Sequence, residues 1–540
     1  MLNCEVCIVG TGAGGGILAH QLARAGLKVI SLEQGTLLAA DHFKTVSPPG
    51  ATKDFGIGPD TVWPSDPHDS LFSHPLFADG STGSTPRAPG AFQHFQVLAV
   101  DGLQSLWNGV SVRFSETDLQ SWPLDYAELA PHYSATERLI TVCGTSESLK
   151  ELPDGDFIPP KMLRPVDEMI VAAVRRLNDP DSHAIPNRKA INTRGNMATS
   201  CVSTGGCTSG CPVGAMYKFS TRLLPEISHL PNYELRTCAK VRRLIREPGQ
   251  QCISGVEYLD TRTGQTHILR AQSFVLATGA IETPRILFNS ADSLDPAGLG
   301  NRNGLVGQRL QDNPKVVLST SLRKLWGKRR NYDIGYGDLL ILLSRGKLPD
   351  GSSFPFIGHA IHGLPDVPHY LSAMKPFPAF IKERLARLMF HSYVTLGLFC
   401  AGEATPGNRV RPGDTIDKYG VRQVNVDFSI PFSAQARMDT MMDWGRKVLR
   451  SASATRLYTS RDNSGTGIHY AGTTAISTDA RNGVVDANLK VHEIDNLFIC
   501  DGGVIPTLPD KHLTLTIMAL SHRLAEHLAK KSRATDISTA

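Results

Sequence analysis

The opening segment CEVCIVGTGAGGGILAHQLARAGLKVISLEQG constrains the fold more than any other stretch of this chain. The apolar run from Val6 to Val9 reads as a buried strand. Gly10, Gly12 and Gly15 follow as G-x-G-x-x-G, ahead of a helix with apolar positions Ile17, Leu18, Leu22 and Ala25. Gly26 closes the helix, and a second strand over residues 27–32 ends at Glu33. Glycines at such a turn let the backbone approach a pyrophosphate, and the helix N-terminus stabilises its charge. The acid after the second strand accepts hydrogen bonds from ribose hydroxyls. The glycine pattern alone is weak, but strand, helix, second strand and acid all occur in order, which is the context of a dinucleotide site. The chain is therefore expected to begin an α/β, Rossmann-like domain.

At 540 residues the chain exceeds one simple core and should hold at least two domains. A net charge of +5 is small for this size and gives no argument for nucleic acid or a membrane surface. No stretch approaches the roughly 18 apolar residues of a spanning helix. The first strand begins almost at Met1, so no signal peptide is expected ahead of it. The ten cysteines do not resemble a disulfide framework in a chain able to build its own core. Cys4 and Cys7 lie three apart on a strand, point to opposite faces, and read as buried small hydrophobes.

Residues 41–91 form a Pro-, Gly-, Ser- and His-rich excursion of the kind used for lids or partner surfaces. Residues 94–114 read as strand, glycine turn, strand, and 126–144 as a helix. Strands are expected around 233–244, 255–259 and 273–277, with a helix starting near Thr283 and Pro284. Alternating apolar patterns between 315 and 462 indicate an antiparallel sheet. A strand over 496–501 and a helix over 514–530 return the chain to the nucleotide domain. The expected partition is a discontinuous nucleotide domain (1–40, 92–120, 215–314, 463–540), the 41–91 flap, and an α+β substrate domain (121–214, 315–462) on the antiparallel sheet.

In the middle of the chain CVSTGGCTSGCPVGAMYK presents Cys201, Cys207 and Cys211 with x5 and x3 spacing and a following Pro212. Closely spaced thiolates on a turning backbone suit an iron–sulfur cluster, either three-iron or four-iron with one non-cysteine ligand. The competing reading is three reduced structural thiols in a loop.

Several motifs together resemble the glucose–methanol–choline (GMC) family of flavin oxidoreductases. They are GLQSLWNG (102–109), ATGAIETPRIL (277–287), and NLFICDGGVIPT followed by HLTLTIMAL near the C-terminus. The resemblance spans the nucleotide domain and is weak in the substrate domain. It implies FAD bound by Gly10, Gly12, Gly15 and Glu33, with Gly102, Ser105, Trp107, Asn108, Gly109, Gly279, Asp501 and Gly502 around it. Trp107 stands where some relatives attach FAD through histidine, so non-covalent FAD is expected. CPVGAMYK is similar to the iron–sulfur branch of bacterial glucose, fructose, gluconate and sorbitol dehydrogenases. That branch implies a [3Fe-4S] cluster on Cys201, Cys207 and Cys211, although Val202 replaces a cysteine the branch often has there. It also implies a small export subunit and a multihaem cytochrome c or quinone acceptor. Location would be the periplasmic face of the inner membrane, with the cytoplasm as the alternative.

Alcohol oxidation by flavin needs a base for the hydroxyl proton while the carbinol hydrogen leaves as hydride to flavin N5. A neutral histidine suits that role. The resemblance assigns His469 as base and His512 as its partner. Many of the branch carry asparagine at the second position, so the division of roles between the two stays open. Asn313 in LQDNP stands where many relatives have histidine, and Leu103 replaces a glycine beside the flavin. The expected activity is a dehydrogenase acting on a secondary or hemiacetal alcohol of a sugar, polyol or glycoside. The alternatives are an oxygen-using alcohol oxidase with structural cysteines and a non-redox, hydroxynitrile-lyase-like protein.

Overall fold

The computed structural model describes residues 2–38, 77–79, 92, 94–194, 200–201, 207, 210–211, 213–328, 337–362, 378–389, 392–462, 465 and 467–539. Most of the 41–91 excursion and much of the loop carrying the cysteine triplet lie outside that set.

The nucleotide half is a five-stranded parallel sheet in the order Leu497–Ile499, Ala271–Leu276, Cys4–Val9, Val29–Leu32, Tyr233–Arg236. The expected α/β character therefore holds, and segments from the start, middle and end of the chain meet in one sheet. Helix Ala13–Arg24 packs against helix Thr514–Thr539. Contact is close enough for the Ser521 hydroxyl to donate to the Gly14 carbonyl at 2.6 Å. Cys4 and Cys7 are buried in the core, as the strand reading requires.

Local backbone geometry corrects three expectations. The strand expected near 233–244 is two strands, because Cys238 takes a left-handed conformation (φ 58°) and turns the chain. Ala239–Arg246 then joins Ile253–Asp260 and Thr266–Leu269 in a separate antiparallel sheet. The helix from Tyr126 stops at Ile140 because Thr141 is left-handed (φ 59°). Residues 110–114 form no strand; Val110 makes only an isolated bridge to Lys189.

The second half is a six-stranded antiparallel sheet in the order Tyr458–Asp462, Lys315–Ser321, Tyr393–Cys400, Ser353–His362, Gly337–Lys347, His183–Pro186. Side chains alternate strictly between its faces. Val316, Leu318, Phe356, Ala360, Leu396 and Leu398 pack under helix Phe432–Ser451, against Met438, Met441, Trp444 and Val448. The opposite face carries Lys315, His359, Ile361, Gly397 and Phe399, which line a cavity facing the parallel sheet. No described helix is long and apolar enough to cross a membrane.

Helix Tyr126–Ile140 is tied to the nucleotide half by a buried ion pair. Glu137 accepts from Arg113 Nε at 2.8 Å and Nη2 at 2.6 Å, and from the Asp156 amide at 2.9 Å. Glu137→Ala leaves the guanidinium buried without its counter-charge. Urea unfolding should show a loss of about 3–5 kcal/mol.

Candidate active site

The cavity between the two sheets measures about 450 Å³. Its nucleotide wall is the glycine turn. Gly10 adopts φ +93°, and a Cβ there would sit 2.6 Å from the Ala277 carbonyl, so only glycine fits. At Gly12 the nearest atom to an added Cβ is the Asp101 carbonyl at 3.7 Å, which leaves the peptide open to the cavity. No side chain caps the helix beginning at Ala13. First-turn N–H groups at such a terminus suit a phosphate.

Glu33 lines the cavity and is buried. Its carboxylate accepts from the Thr11 amide at 3.0 Å, the Thr11 hydroxyl at 2.7 Å and the Gly35 amide at 2.9 Å. Asp501 joins two cavity loops, accepting from the Gly279 amide at 3.0 Å, the Thr283 hydroxyl at 2.6 Å and the Gly503 amide at 2.8 Å. Burial pushes both carboxyls upward against these hydrogen bonds. Gly102, Trp107, Asn108, Gly109, Gly279 and Gly502 also line the cavity. Gly15 and Ser105 do not; the Ser105 hydroxyl donates to the Val100 carbonyl at 3.3 Å.

Gln104 supplies an independent test of the cofactor. Both polar atoms of its buried amide lack a partner among the described residues, and the residue lines the cavity. Buried amides are nearly always satisfied, so a polar ligand belongs there. Together with the glycine cradle and the uncapped helix, the residues present fit FAD.

At the other wall stand three histidines. His469 Nδ1 lies 2.7 Å from Asn313 Oδ1, and His469 Nε2 lies 2.9 Å from His512 Nδ1. His512 Nε2 lies 2.7 Å from His359 Nε2. The Phe399 ring packs edge-on against both His469 and His512. Asp312 fixes the backbone beneath His469, accepting from its amide at 2.9 Å and from the Gly467 amide at 3.0 Å. The Asn313 NH2 group donates to the Cys400 carbonyl at 2.7 Å and the Pro509 carbonyl at 2.8 Å. Its Oδ1 is therefore the atom facing His469, and His469 Nδ1 must carry the hydrogen. His469 Nε2 is then an acceptor, and the hydrogen in its 2.9 Å contact belongs to His512 Nδ1. Burial, with Lys315 and His359 adding to it, lowers His469 to about 3. Burial and then the neighbouring histidines and lysines push His512 well below the usual range. Both rings are neutral at pH 7.

The structure thus brings His469 and His512 together beside the expected cofactor wall. His359 and Lys315 escaped the sequence reading. The one available signal for His359 was a polar residue on the face shared with Ile357 and Ile361 in an apolar strand, and nothing singled it out among 18 histidines.

Trp107 separates this cavity from the cysteine loop. Its indole N–H donates to the Tyr217 carbonyl at 2.9 Å, and its ring packs against the pocket of Cys143, Ile191, Ala215 and Met216. Cys211 belongs to that pocket, and Cys201 and Cys207 pack against it. Cys211 is left-handed (φ 49°), and its sulfur accepts from the Met216 amide at 3.4 Å. Lys218 Nζ donates to the Gly210 carbonyl at 2.6 Å and Lys161 Nζ to the Cys201 carbonyl at 3.2 Å.

Comparison with known proteins agrees with this geometry. Two profiles described as GMC oxidoreductase match residues 106–315 and 407–521, together more than half of the chain. The chain is 27% identical to paromamine 6'-oxidase of Streptomyces fradiae, over 97% of this chain and 91% of that protein. It is 24% identical to the fructose dehydrogenase large subunit of Gluconobacter japonicus, over 97% of each. A solved formate oxidase of Aspergillus oryzae RIB40 shares the fold, with a TM-score of 0.66 at 16% identity over 98% of this chain and 99% of that one. A glycine cradle that fits FAD, a neutral histidine pair across the cavity from it, and these matches lead to one assignment. The chain belongs to the GMC oxidoreductase family, enzymes that use FAD to oxidise CH–OH groups.

Proposed function

We propose that this enzyme oxidises a secondary or hemiacetal hydroxyl of a sugar, polyol or glycoside, with His469 as the base. Its electrons leave through a [3Fe-4S] cluster on Cys201, Cys207 and Cys211 to a cytochrome c or quinone. The observation that carries the base assignment is the Asn313 contact, which leaves a neutral His469 with Nε2 as a hydrogen-bond acceptor, 2.9 Å from His512 Nδ1 at the cavity wall. FAD, when bound, supplies the two-electron acceptor for the carbinol hydrogen. The substrate hydroxyl takes the place of the direct His512–His469 contact, donating to His469 Nε2 and accepting from His512 Nδ1–H, and its proton passes to His469. The apolar wall of Phe399 and Ile361 limits water around the base.

One relative is named for fructose, which supports a carbohydrate substrate. What supports the cluster is that Cys201 and Cys207 pack against the apolar pocket that holds Cys211, and that a backbone N–H reaches the Cys211 sulfur. Hydrogen bonds of this kind to cluster sulfurs help set the reduction potential. With the relay go a small export subunit, a multihaem cytochrome and a periplasmic site of action. The second reading, electrons passing to oxygen, is favoured by the name of the other relative, an oxidase.

The test is anaerobic mixing of the holoenzyme with a panel of sugars, polyols and glycosides, alongside iron and acid-labile sulfide assays. Flavin bleaching with about three irons per flavin supports the relay. Bleaching with peroxide formation on aeration, and no iron in protein purified without oxygen, transfers the assignment to an oxidase. No bleaching by any member of the panel removes alcohol oxidation.

A further inference from the structure

We infer that His132, His522 and Glu526 form a binding site for a divalent transition-metal ion such as zinc, joining helix Tyr126–Ile140 to helix Thr514–Thr539. None of the three lines the cavity between the sheets, so the site is separate from the flavin chemistry and does not rest on the function proposed above.

The two helices are already tied to each other beside the site. The buried Tyr133 hydroxyl lies 2.6 Å from the Thr516 hydroxyl, and Arg523 Nη2 donates to Glu128 Oε1 at 2.6 Å. His522 and Glu526 are four residues apart on one helix and therefore share a face. His132 Nδ1, from the other helix, faces His522 Nδ1 at 3.0 Å, with ring centroids 5.3 Å apart. Glu526 Oε1 lies 3.8 Å from the same His522 nitrogen. One ligand atom from each of the three falls within 4.8 Å of the other two.

These spacings are close to those an ion would impose. Zinc binds imidazole nitrogen at about 2.0–2.1 Å in tetrahedral geometry, which sets two ligand atoms of one ion about 3.3 Å apart. The histidine nitrogens need to part by only a few tenths of an ångström, the rings tilting so that both lone pairs meet at the ion. Glu526 needs to move in by about half an ångström to reach the same spacing. It is half-exposed, and its ion pair with Lys530 is long, at 4.0 Å. The neighbouring arginines do not hold it: Arg523 is taken by Glu128 and Arg138 by Asp156.

The donor set selects the ion. Two imidazoles and one carboxylate, with water in the fourth position, suit zinc, whereas calcium and magnesium take oxygen ligands. Burial lowers both histidines from the ordinary value, so each ring is neutral at pH 7 and has a lone pair to give. Two neutral rings facing through Nδ1 can share only one hydrogen, which forces one of them into the Nδ1–H form. An ion accepts both lone pairs and lets both rings keep their hydrogen on Nε2. Bound there, it would clamp the C-terminal helix to Tyr126–Ile140.

The experiment is equilibrium dialysis of the FAD-loaded enzyme against zinc at pH 7.5, counting bound zinc per chain in wild type, His132→Ala, His522→Ala and Glu526→Gln. Zinc held by the cysteine loop or by the histidines of the cavity is common to all four proteins, so the difference isolates this site. Each substitution should remove one zinc per chain. Loss of a ligand should weaken binding at least about 100-fold, since even the groups that support ligands are worth about 10- to 100-fold. Zinc should also raise the melting temperature of the wild type more than that of any variant. Flavin content checks that the variants fold, and Glu526→Gln changes an exposed side chain without changing its shape. Equal zinc binding by the wild type and any one of the three variants overturns the inference.

Discussion

His469→Ala is expected to slow anaerobic flavin reduction by the enzyme's alcohol about 10³-fold while leaving FAD content unchanged. The two halves of this expectation come from different walls of the cavity. The residues that fit FAD lie on the glycine turn, the 102–109 turn and the Gly279 and Asp501 loops, and none of the hydrogen bonds at Glu33 or Asp501 involves His469. The proton, by contrast, has one acceptor, the Nε2 that Asn313 leaves unprotonated. Stopped-flow absorbance at the flavin band measures the loss, and a drop of less than ten-fold would reject His469 as the base. Acid stability provides a second reading of the same residue. Its folded pKa is lowered to about 3, below the usual histidine value. Above pH 6.5 folded and unfolded chains are both neutral at this site. Below it the unfolded chain binds a proton that the folded chain refuses, so stability falls as pH drops toward 3, by up to about 1.4 kcal/mol per pH unit. His469→Ala removes that contribution, and the variant should lose less stability on acidification than the wild type.

The parts of this site that were legible in the sequence are those whose physics is local. The glycine turn and Glu33 could be read because a pyrophosphate turn demands glycines at fixed offsets between a strand and a helix. His469 and His512 could be read from motif resemblance. Their partners could not, because each depends on register between distant strands. His359 reaches His512 only because Ser353–His362 pairs with Tyr393–Cys400 in the register that puts His359 opposite Gly397. Asn313 was visible as a departure, yet its meaning waits on two carbonyls, at Cys400 and Pro509, far along the chain. Element ends failed for a related reason. Cys238 and Thr141 are left-handed without being glycine, and residue type alone does not announce such a turn.

Asn313→Leu is the second large effect, because one side chain performs three tasks. The substitution strips the donor from two buried carbonyls, at about 1–3 kcal/mol each, and urea unfolding should show the loss. It also frees His469 to protonate at either nitrogen, so flavin reduction should fall about 10²-fold. Asn313→Asp separates the two roles. The carboxylate still accepts from His469 Nδ1, at the position where Oδ1 now lies 2.7 Å away, but it faces the Cys400 and Pro509 carbonyls without a hydrogen to offer. Stability should fall as in the leucine variant. The fixed negative charge, however, favours the imidazolium of His469 and raises its pKa from the depressed value of the wild type. A base with a raised pKa is lost as pH falls through that value. The aspartate variant should therefore lose activity on the acid side at a pH where the wild type is still flat. The leucine variant should be slow at every pH without gaining that acid limb. An acid limb at the same pH in wild type and Asn313→Asp would mean that Asn313 does not touch the base during turnover.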